Sequence, residues 1–224
     1  MKNKYARFPL TMAILSFLYF LFIAFFMSTV VQPLWGRISV VLIPALVLGG
    51  IGLLARKGRL DSKKTTVLTV LLSVILLLVF ICYTGLLFLW TATTVTTDVK
   101  YYSRAYAKIK SRYGVKDVFP QVVPTDAKDI SFHYNPAFLQ GGEMFQLSYT
   151  VTEEKLAEWT TLLEGAAEWV GSNKEWRRMN DWGFYGTDSI RYQLYWDGGF
   201  NHGEMCYVLI DPSIWRITFF YEDW

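Results

Sequence analysis

Three long apolar segments limit what the first hundred residues of this chain can fold into. They run roughly over residues 8–31, 38–55 and 66–90, and none contains Asp, Glu, Lys, Arg or His. A helix needs about 20 predominantly apolar residues to cross a bilayer. Only helices and closed barrels satisfy their own backbone groups in hydrocarbon. The sequence therefore predicts three membrane-spanning helices.

The charge distribution divides the chain into two unlike parts. Residues 1–97 carry nine basic side chains and one acidic side chain, whereas residues 98–224 carry 13 basic and 18 acidic ones. The overall basic balance is therefore an average over two regions, and it gives no reason to expect a nucleic-acid partner. We predict a three-helix transmembrane anchor over residues 1–97 and an extracytoplasmic α+β domain over residues 98–224.

The basic residues that flank the spans predict their orientation. Lys2, Lys4 and Arg7 precede the first span, and five basic residues lie between Arg56 and Lys64, before the third span. Such residues favour the cytoplasmic side, and three spans place both flanks on one side. The first segment is longer than the apolar region of a signal peptide and lacks a convincing cleavage site, so we expect it to be retained. We expect a multi-pass protein of the cell membrane with a cytoplasmic N-terminus.

The pattern of the second region predicts an antiparallel sheet with a helix packed on one face. Helical spacing of apolar residues indicates helices over residues 99–113 and 152–170. Alternation of apolar and polar residues indicates five strands, with an irregular connection between Ser172 and Ser189. These strands lie near residues 130–134, 145–151, 190–196, 205–209 and 215–221.

Aromatic and arginine side chains concentrate in the predicted irregular connection. This combination is typical of the residues that dominate protein interfaces. We therefore predict a ligand- or partner-binding surface there, although the same residues would also serve to close the core over a long loop. The surface would consist of Trp176, Arg177, Arg178, Trp182 and Tyr185.

Catalytic motifs are absent from the sequence. It contains no P-loop, G-x-S-x-G, C-x-x-C or H-E-x-x-H pattern, and we predict no metal and no cofactor. Asp197, His202 and Glu204 are the weak candidates for a catalytic group, because a carboxylate beside an imidazole can activate water. Their spacing matches no metalloenzyme signature, and the pattern favours a polar turn over a catalytic site.

These observations favour a non-enzymatic protein embedded in lipid, whose outer domain binds a protein or another component of the cell envelope. The lack of both a disulfide pair and a glycosylation sequon in the outer region fits a bacterial cell surface. An accessory subunit of a transporter or sensor complex is one alternative, suggested by glycines 49, 50 and 52 in the second span. A cell-envelope hydrolase is the other.

Overall fold

A computed structural model describes residues 5–138, 142–180, 188–199 and 202–224. The chain divides into two compact units, the first ending at Thr91 and the second beginning at Ala92. Within the described residues, the first unit contains only helices, and the second contains a sheet with helices packed on it. The predicted combination of long apolar helices with an α+β domain is confirmed at this level.

Three helices of the first unit are long and apolar enough to cross a membrane. They span Arg7–Ser28 (α1), Trp35–Arg56 and Ser62–Thr93 (α4), with lengths of 22, 22 and 32 residues. Large apolar side chains cover their outer surface; Phe25, for example, is 72% exposed. Folded proteins that are surrounded by water rarely expose so much contiguous apolar surface. Length, composition and exposure thus agree with the predicted spans.

A proline interrupts the second of these helices. It consists of α2 (Trp35–Ile38), a 3-10 turn (Ser39–Leu42) and α3 (Ile43–Arg56). Pro44 has no N–H to donate to the carbonyl of Val40, and Ile43 donates to that carbonyl instead. This hydrogen bond joins residues three positions apart instead of four, so the backbone forms a tighter 3-10 turn. Pro44 then occupies the first turn of α3, where a missing N–H costs little.

Glycines in α3 allow it to pack closely against α1. A Cβ atom added at Gly52 would lie 2.7 Å from the side chain of Leu10, and one at Gly49 would lie 3.8 Å from the Cβ of Ala13. Small residues let helix backbones approach one another in this way. Two of the three glycines in α3 therefore lie against the chain's own first helix.

The second unit contains a six-stranded antiparallel sheet with the strand order β1-β2-β6-β5-β4-β3. Strands β4, β5 and β6 form the predicted meander, and β2 pairs with β6 through a long connection. The strands are Lys128–Asn135, Met144–Thr150, Trp169–Ser172, Ile190–Asp197, Glu204–Asp211 and Arg216–Asp223. The helices of this unit are α5 (Tyr102–Ile109), α6 (Val115–Val118), α7 (Glu153–Ala166) and α8 (Asn173–Asn180).

Two predictions about the middle of this unit are wrong. The helix that was expected to reach Val170 ends at Ala166, and the next residues form β3 on the free edge of β4. The expected irregular connection after Ser172 begins with helix α8. Hydrogen bonds to β4 hold the edge strand, and such pairing outweighs the helical spacing of a short segment.

One face of the sheet forms the apolar core of the second unit. Tyr102 of α5 contacts Phe145 with ring centroids 5.5 Å apart, and Trp159 of α7 contacts Phe219 at 5.2 Å. Side chains at alternate positions of β2, β5 and β6 are fully buried beneath these helices. We call this the helix-covered face. Its core residues include Phe145, Leu147, Tyr149, Cys206, Val208, Ile217, Phe219 and Tyr221.

Candidate functional site

The opposite face of the sheet carries a group of aromatic rings around a buried arginine. Trp176 of α8 lies 5.1 Å from Trp169 and 5.7 Å from Trp196, measured between ring centroids. Trp196 in turn lies 5.5 Å from Trp224. The guanidinium carbon of Arg191 is 4.6 Å from the ring centroid of Trp176. We call this group the aromatic–arginine cluster; it consists of Trp169, Trp176, Arg191, Trp196, Tyr207 and Trp224.

Strand register brings these residues to one face. Trp169 pairs with Gln193, and Gln193 pairs with Tyr207. A shift in register between Gln193 and Tyr195 then lets Trp196 pair with Met205. A bulge of this kind reverses the direction of the following side chains. It places Trp196 beside Trp176 rather than on the helix-covered face where simple alternation in β4 predicted it.

Arg191 is the only cation in the cluster, and it is 4% exposed. Its guanidinium lies 3.6 Å from the ring centroid of Tyr207 and is therefore enclosed between two aromatic rings. Nε donates to Oε1 of Gln193 at 2.8 Å, and one terminal nitrogen donates to Oδ1 of Asn173 at 3.4 Å. The remaining nitrogen faces the sulfur of Met205 at 3.8 Å.

No carboxylate in the described part of the chain forms an ion pair with Arg191. Burial lowers the pKa of this guanidinium to about 10 and raises that of the Tyr207 hydroxyl to about 12. Cation–π contacts and neutral acceptors offset part of the desolvation of a buried charge, but they supply no opposite charge. An arginine presents five N–H donors in a fork that matches carboxylate and phosphate groups. The cluster therefore has the chemistry to bind an anion.

Gln193 fixes the position of the arginine. It is 1% exposed, and its Nε2 donates to the carbonyl of Cys206 at 3.0 Å and to the carbonyl of Tyr195. With both amide hydrogens used, its oxygen is oriented toward Nε of Arg191. The burial of Arg191 and Gln193 was not predicted, because both occupy positions of β4 that alternation assigned to the solvent-facing side.

The predicted binding surface is only partly within the described residues. Trp176 lies in the cluster, packed between rings rather than projecting from a loop. Arg177 and Arg178 belong to α8, and only their backbone is described. Trp182 and Tyr185 lie outside the described residues.

The three weak catalytic candidates lie near the β4–β5 hairpin. Asp197 and Glu204 pair across its strands, and Oδ1 of Asp197 accepts a hydrogen bond from the backbone of Gly199 at 3.2 Å. His202 is exposed, and within the described residues it forms no hydrogen bond or ion pair with either carboxylate. That part of the chain also contains no group of three His, Cys, Asp or Glu side chains suited to a metal.

A second polar group, which the sequence did not predict, joins β1 to β6. The hydroxyl of Tyr134 donates to Oε1 of Glu143 at 2.6 Å, and the backbone N–H of Glu143 donates to Oδ1 of Asp223 at 2.5 Å. Arg112 donates to Oδ2 of Asp223 at 3.3 Å. Burial raises the pKa of Glu143, and the nearby Asp223 raises it further. Glu143 and Asp223 are 80 residues apart in the sequence, so their contact could not be predicted from local residue spacing.

Comparisons with known proteins identify no relative: no family model, no curated protein and no solved structure matches the chain.

Proposed function

We propose that this protein is a membrane-anchored binding protein. Three helices embed it in the cell membrane with the N-terminus in the cytoplasm, and the α+β unit lies on the extracytoplasmic side. The aromatic–arginine cluster binds a carboxylate or phosphate group of a protein or cell-envelope partner. This proposal continues the prediction made from sequence and specifies the group that the partner presents.

Two features support the membrane anchoring. The three long helices contain no charged residue between residues 8 and 31, 38 and 55, or 66 and 90. Their surfaces are apolar and exposed in the isolated chain, as lipid contact requires. The excess of Lys and Arg before the first helix and between the second and third supports the proposed orientation.

Arg191 carries the proposal that the domain binds an anion. A desolvated cation without a countercharge is unfavourable for folding alone. Groups with strongly perturbed pKa values concentrate at functional sites, because function rather than stability keeps them buried. The guanidinium is enclosed between two rings, and its weakest contacts are the 3.4 Å bond to Asn173 and the 3.8 Å contact with Met205, which an anion would displace on binding.

Binding of simple anions to the full chain in detergent tests this proposal. Tryptophan fluorescence reports occupancy directly, since Trp176 lies against Arg191. We expect inorganic phosphate, acetate or poly-glutamate to change the fluorescence of the native protein, and Arg191→Met to reduce the affinity at least tenfold. Arg216→Met, the same substitution on β6, is the control. Equal affinity of the native protein and Arg191→Met for every anion would contradict the proposal.

The orientation has a separate test. Ser213 is exposed in the turn between β5 and β6, so Ser213→Cys offers a thiol to a membrane-impermeant maleimide. We expect this variant to be labelled in intact cells, whereas Lys57→Cys, in the loop between the second and third helices, is labelled only after lysis. The reverse pattern would place the domain in the cytoplasm.

The two alternatives receive different support. Of the glycines that suggested an accessory subunit, Gly49 and Gly52 face α1 of the same chain, so only Gly50 has open space where a partner helix could pack. That function stays a prediction without a specific contact behind it. A hydrolase would need Asp197, His202 and Glu204 to act together, and the exposed imidazole has no bond that orients it toward either carboxylate in the described residues.

A further inference from the structure

The helical unit contains a half-open cavity of about 390 Å³ between α1, α3 and α4. This volume lies within the range of roughly 300–1,000 Å³ that is usual for ligand sites. Leu15, Leu48 and Leu77 contribute one wall each. Only three of the lining residues carry hydroxyl groups, namely Ser16, Tyr19 and Ser73, and the others are apolar.

The three hydroxyls differ in their hydrogen bonding. Ser16 donates to the carbonyl of Met12 at 2.9 Å, and Tyr19 donates to Oγ1 of Thr84 at 2.7 Å. Oγ of Ser73 is buried and has no partner in the described part of the chain. Serines in apolar helices commonly donate to a carbonyl four residues earlier, and a buried hydroxyl without any partner is unfavourable. Ser73 therefore lines the cavity with a side chain whose donor is unused, and whose oxygen is shielded from solvent.

Ser73 lies at the end of the cavity that is nearer to a basic segment. The lining residues of α4 extend from Ser73 to Ile81, which corresponds to about 12 Å along a helix. Before Ser73 the chain contains the loop between α3 and α4 with its flanking residues, which we call the basic loop. It carries one acid, Asp61, and five basic residues: Arg56, Lys57, Arg59, Lys63 and Lys64. The apolar cavity, the free hydroxyl and the basic loop thus follow one another along α4.

We propose that this cavity holds one acyl chain of an anionic phospholipid. The chain lies along the apolar walls, an ester oxygen of the lipid accepts the hydrogen bond of Ser73, and the basic loop attracts the phosphate. Clusters of Lys and Arg beside a span attract anionic lipid headgroups in this way. The inference rests on the proposed membrane anchoring, because lipid reaches these residues only if the three helices span the bilayer.

The dimensions disfavour a partner helix as the occupant. A helix about 10 Å in diameter fills 390 Å³ within roughly one turn, so a cavity of this volume that extends about 12 Å along α4 is too narrow to receive one. Ordered water is a poor occupant, since a bound water needs two to four polar partners and, of the residues that line the cavity, only Ser73 has an unused donor. A narrow, flexible hydrocarbon chain with an oxygen at one end matches both the walls and the hydroxyl.

Native mass spectrometry of the full chain tests the inference. The protein is reconstituted in nanodiscs that contain equal amounts of phosphatidylglycerol and phosphatidylcholine, and retained lipids are counted after release into detergent. We expect one retained phosphatidylglycerol, with at least a tenfold preference over phosphatidylcholine. Ser73→Phe fills the cavity and should reduce retention at least tenfold, while Ser73→Ala, which keeps the space but removes the hydroxyl, should reduce it a few-fold. Leu78→Phe, on an exposed position of α4, should leave retention unchanged.

A photoreactive phosphatidylglycerol with a diazirine in its acyl chain keeps the inference testable if Ser73→Phe fails to fold. We expect label in the native protein at cavity-lining residues of α1, α3 and α4, and not preferentially at Leu78. Equal retention of the two lipids, retention unaffected by Ser73→Phe, or uniform labelling of the helix surfaces would each overturn the inference. Release of the native protein from membranes by alkaline carbonate would instead overturn the membrane anchoring itself, so the two failures are distinguishable.

Discussion

The two faces of the six-stranded sheet bury comparable aromatic residues but differ in what surrounds them. On the helix-covered face, Phe219 contacts the rings of Phe119, Tyr149 and Trp159, and no charged side chain is needed to complete the packing. On the opposite face, the adjacent residue Phe220 stacks on Tyr207, whose other neighbour is the guanidinium of Arg191. Neighbouring positions of one strand thus belong to an apolar core and to a polar cluster.

This difference separates stability from function within one sheet. Close packing of apolar side chains stabilises the fold without further requirement. A buried arginine that lacks an acidic partner weakens it. Hence we expect substitutions on the helix-covered face to act on folding, and substitutions in the aromatic–arginine cluster to act on binding.

The largest expected effect is the loss of Phe219. Phe219→Ala should lower the free energy of unfolding by about 3–5 kcal/mol, because a large cavity opens in a fully buried core. Phe220→Ala is the matched substitution on the other face, and it should cost roughly half as much. Chemical denaturation of the full chain in detergent, followed by circular dichroism, measures both. An equal decrease in the free energy of unfolding in the two variants would show that both faces of the sheet contribute equally to stability.

Removal of the buried charge should have the opposite sign. Arg191→Met keeps the unbranched aliphatic part of the side chain and removes the cation, but it leaves the oxygens of Gln193 and Asn173 without this donor. Because the desolvation of a buried charge costs more than these two bonds, we expect a net rise in the free energy of unfolding of about 1 kcal/mol. The same denaturation assay measures this gain. Loss of stability in Arg191→Met would mean that the aromatic rings, Gln193 and Asn173 stabilise the charge by themselves, which would contradict an anion-binding role for Arg191.

A smaller effect is expected on the pH dependence of the free energy of unfolding. Burial raises the pKa of Glu143 above its ordinary value of 4.5, so the folded state binds its proton more tightly than the unfolded state does. The stability that this carboxyl contributes is complete below pH 4.5 and is lost as pH rises through the folded-state pKa. Glu143→Gln, which still accepts from Tyr134, should flatten the fall in stability as pH rises above 4.5. Glu158→Gln, at an exposed residue of α7, should leave that fall unchanged.

The smallest effect is expected at the hairpin. His202→Ala should change the free energy of unfolding by less than about 0.5 kcal/mol, as exposed residues without partners usually do. It should also leave anion binding intact, since the aromatic–arginine cluster does not include His202. A loss of anion binding in His202→Ala, measured by the fluorescence titration, would instead support a functional site at Asp197, His202 and Glu204.

Sequence patterns predicted the features that a segment determines by itself. The three apolar helices lie within about four residues of their predicted ends, because these segments contain no charged residue and are apolar at most positions. Most strands were likewise evident from alternation. The edge strand Trp169–Ser172 was missed since it exists only through β4, and Arg191 was missed since its burial depends on α8 covering it. The cluster required the pairing of distant segments, which no local pattern encodes.

The pairing of β2 with β6 has a consequence for how the second unit folds. Ser148 and Thr218 bond across these strands although they are 70 residues apart in sequence. Closing such a long loop is entropically costly, and proteins rich in these distant contacts fold slowly. Before β6 pairs with β2, the β1–β2 hairpin has an unpaired strand edge and exposes the apolar side chains of β2. We therefore expect this partly folded intermediate to be the species most prone to aggregation during synthesis.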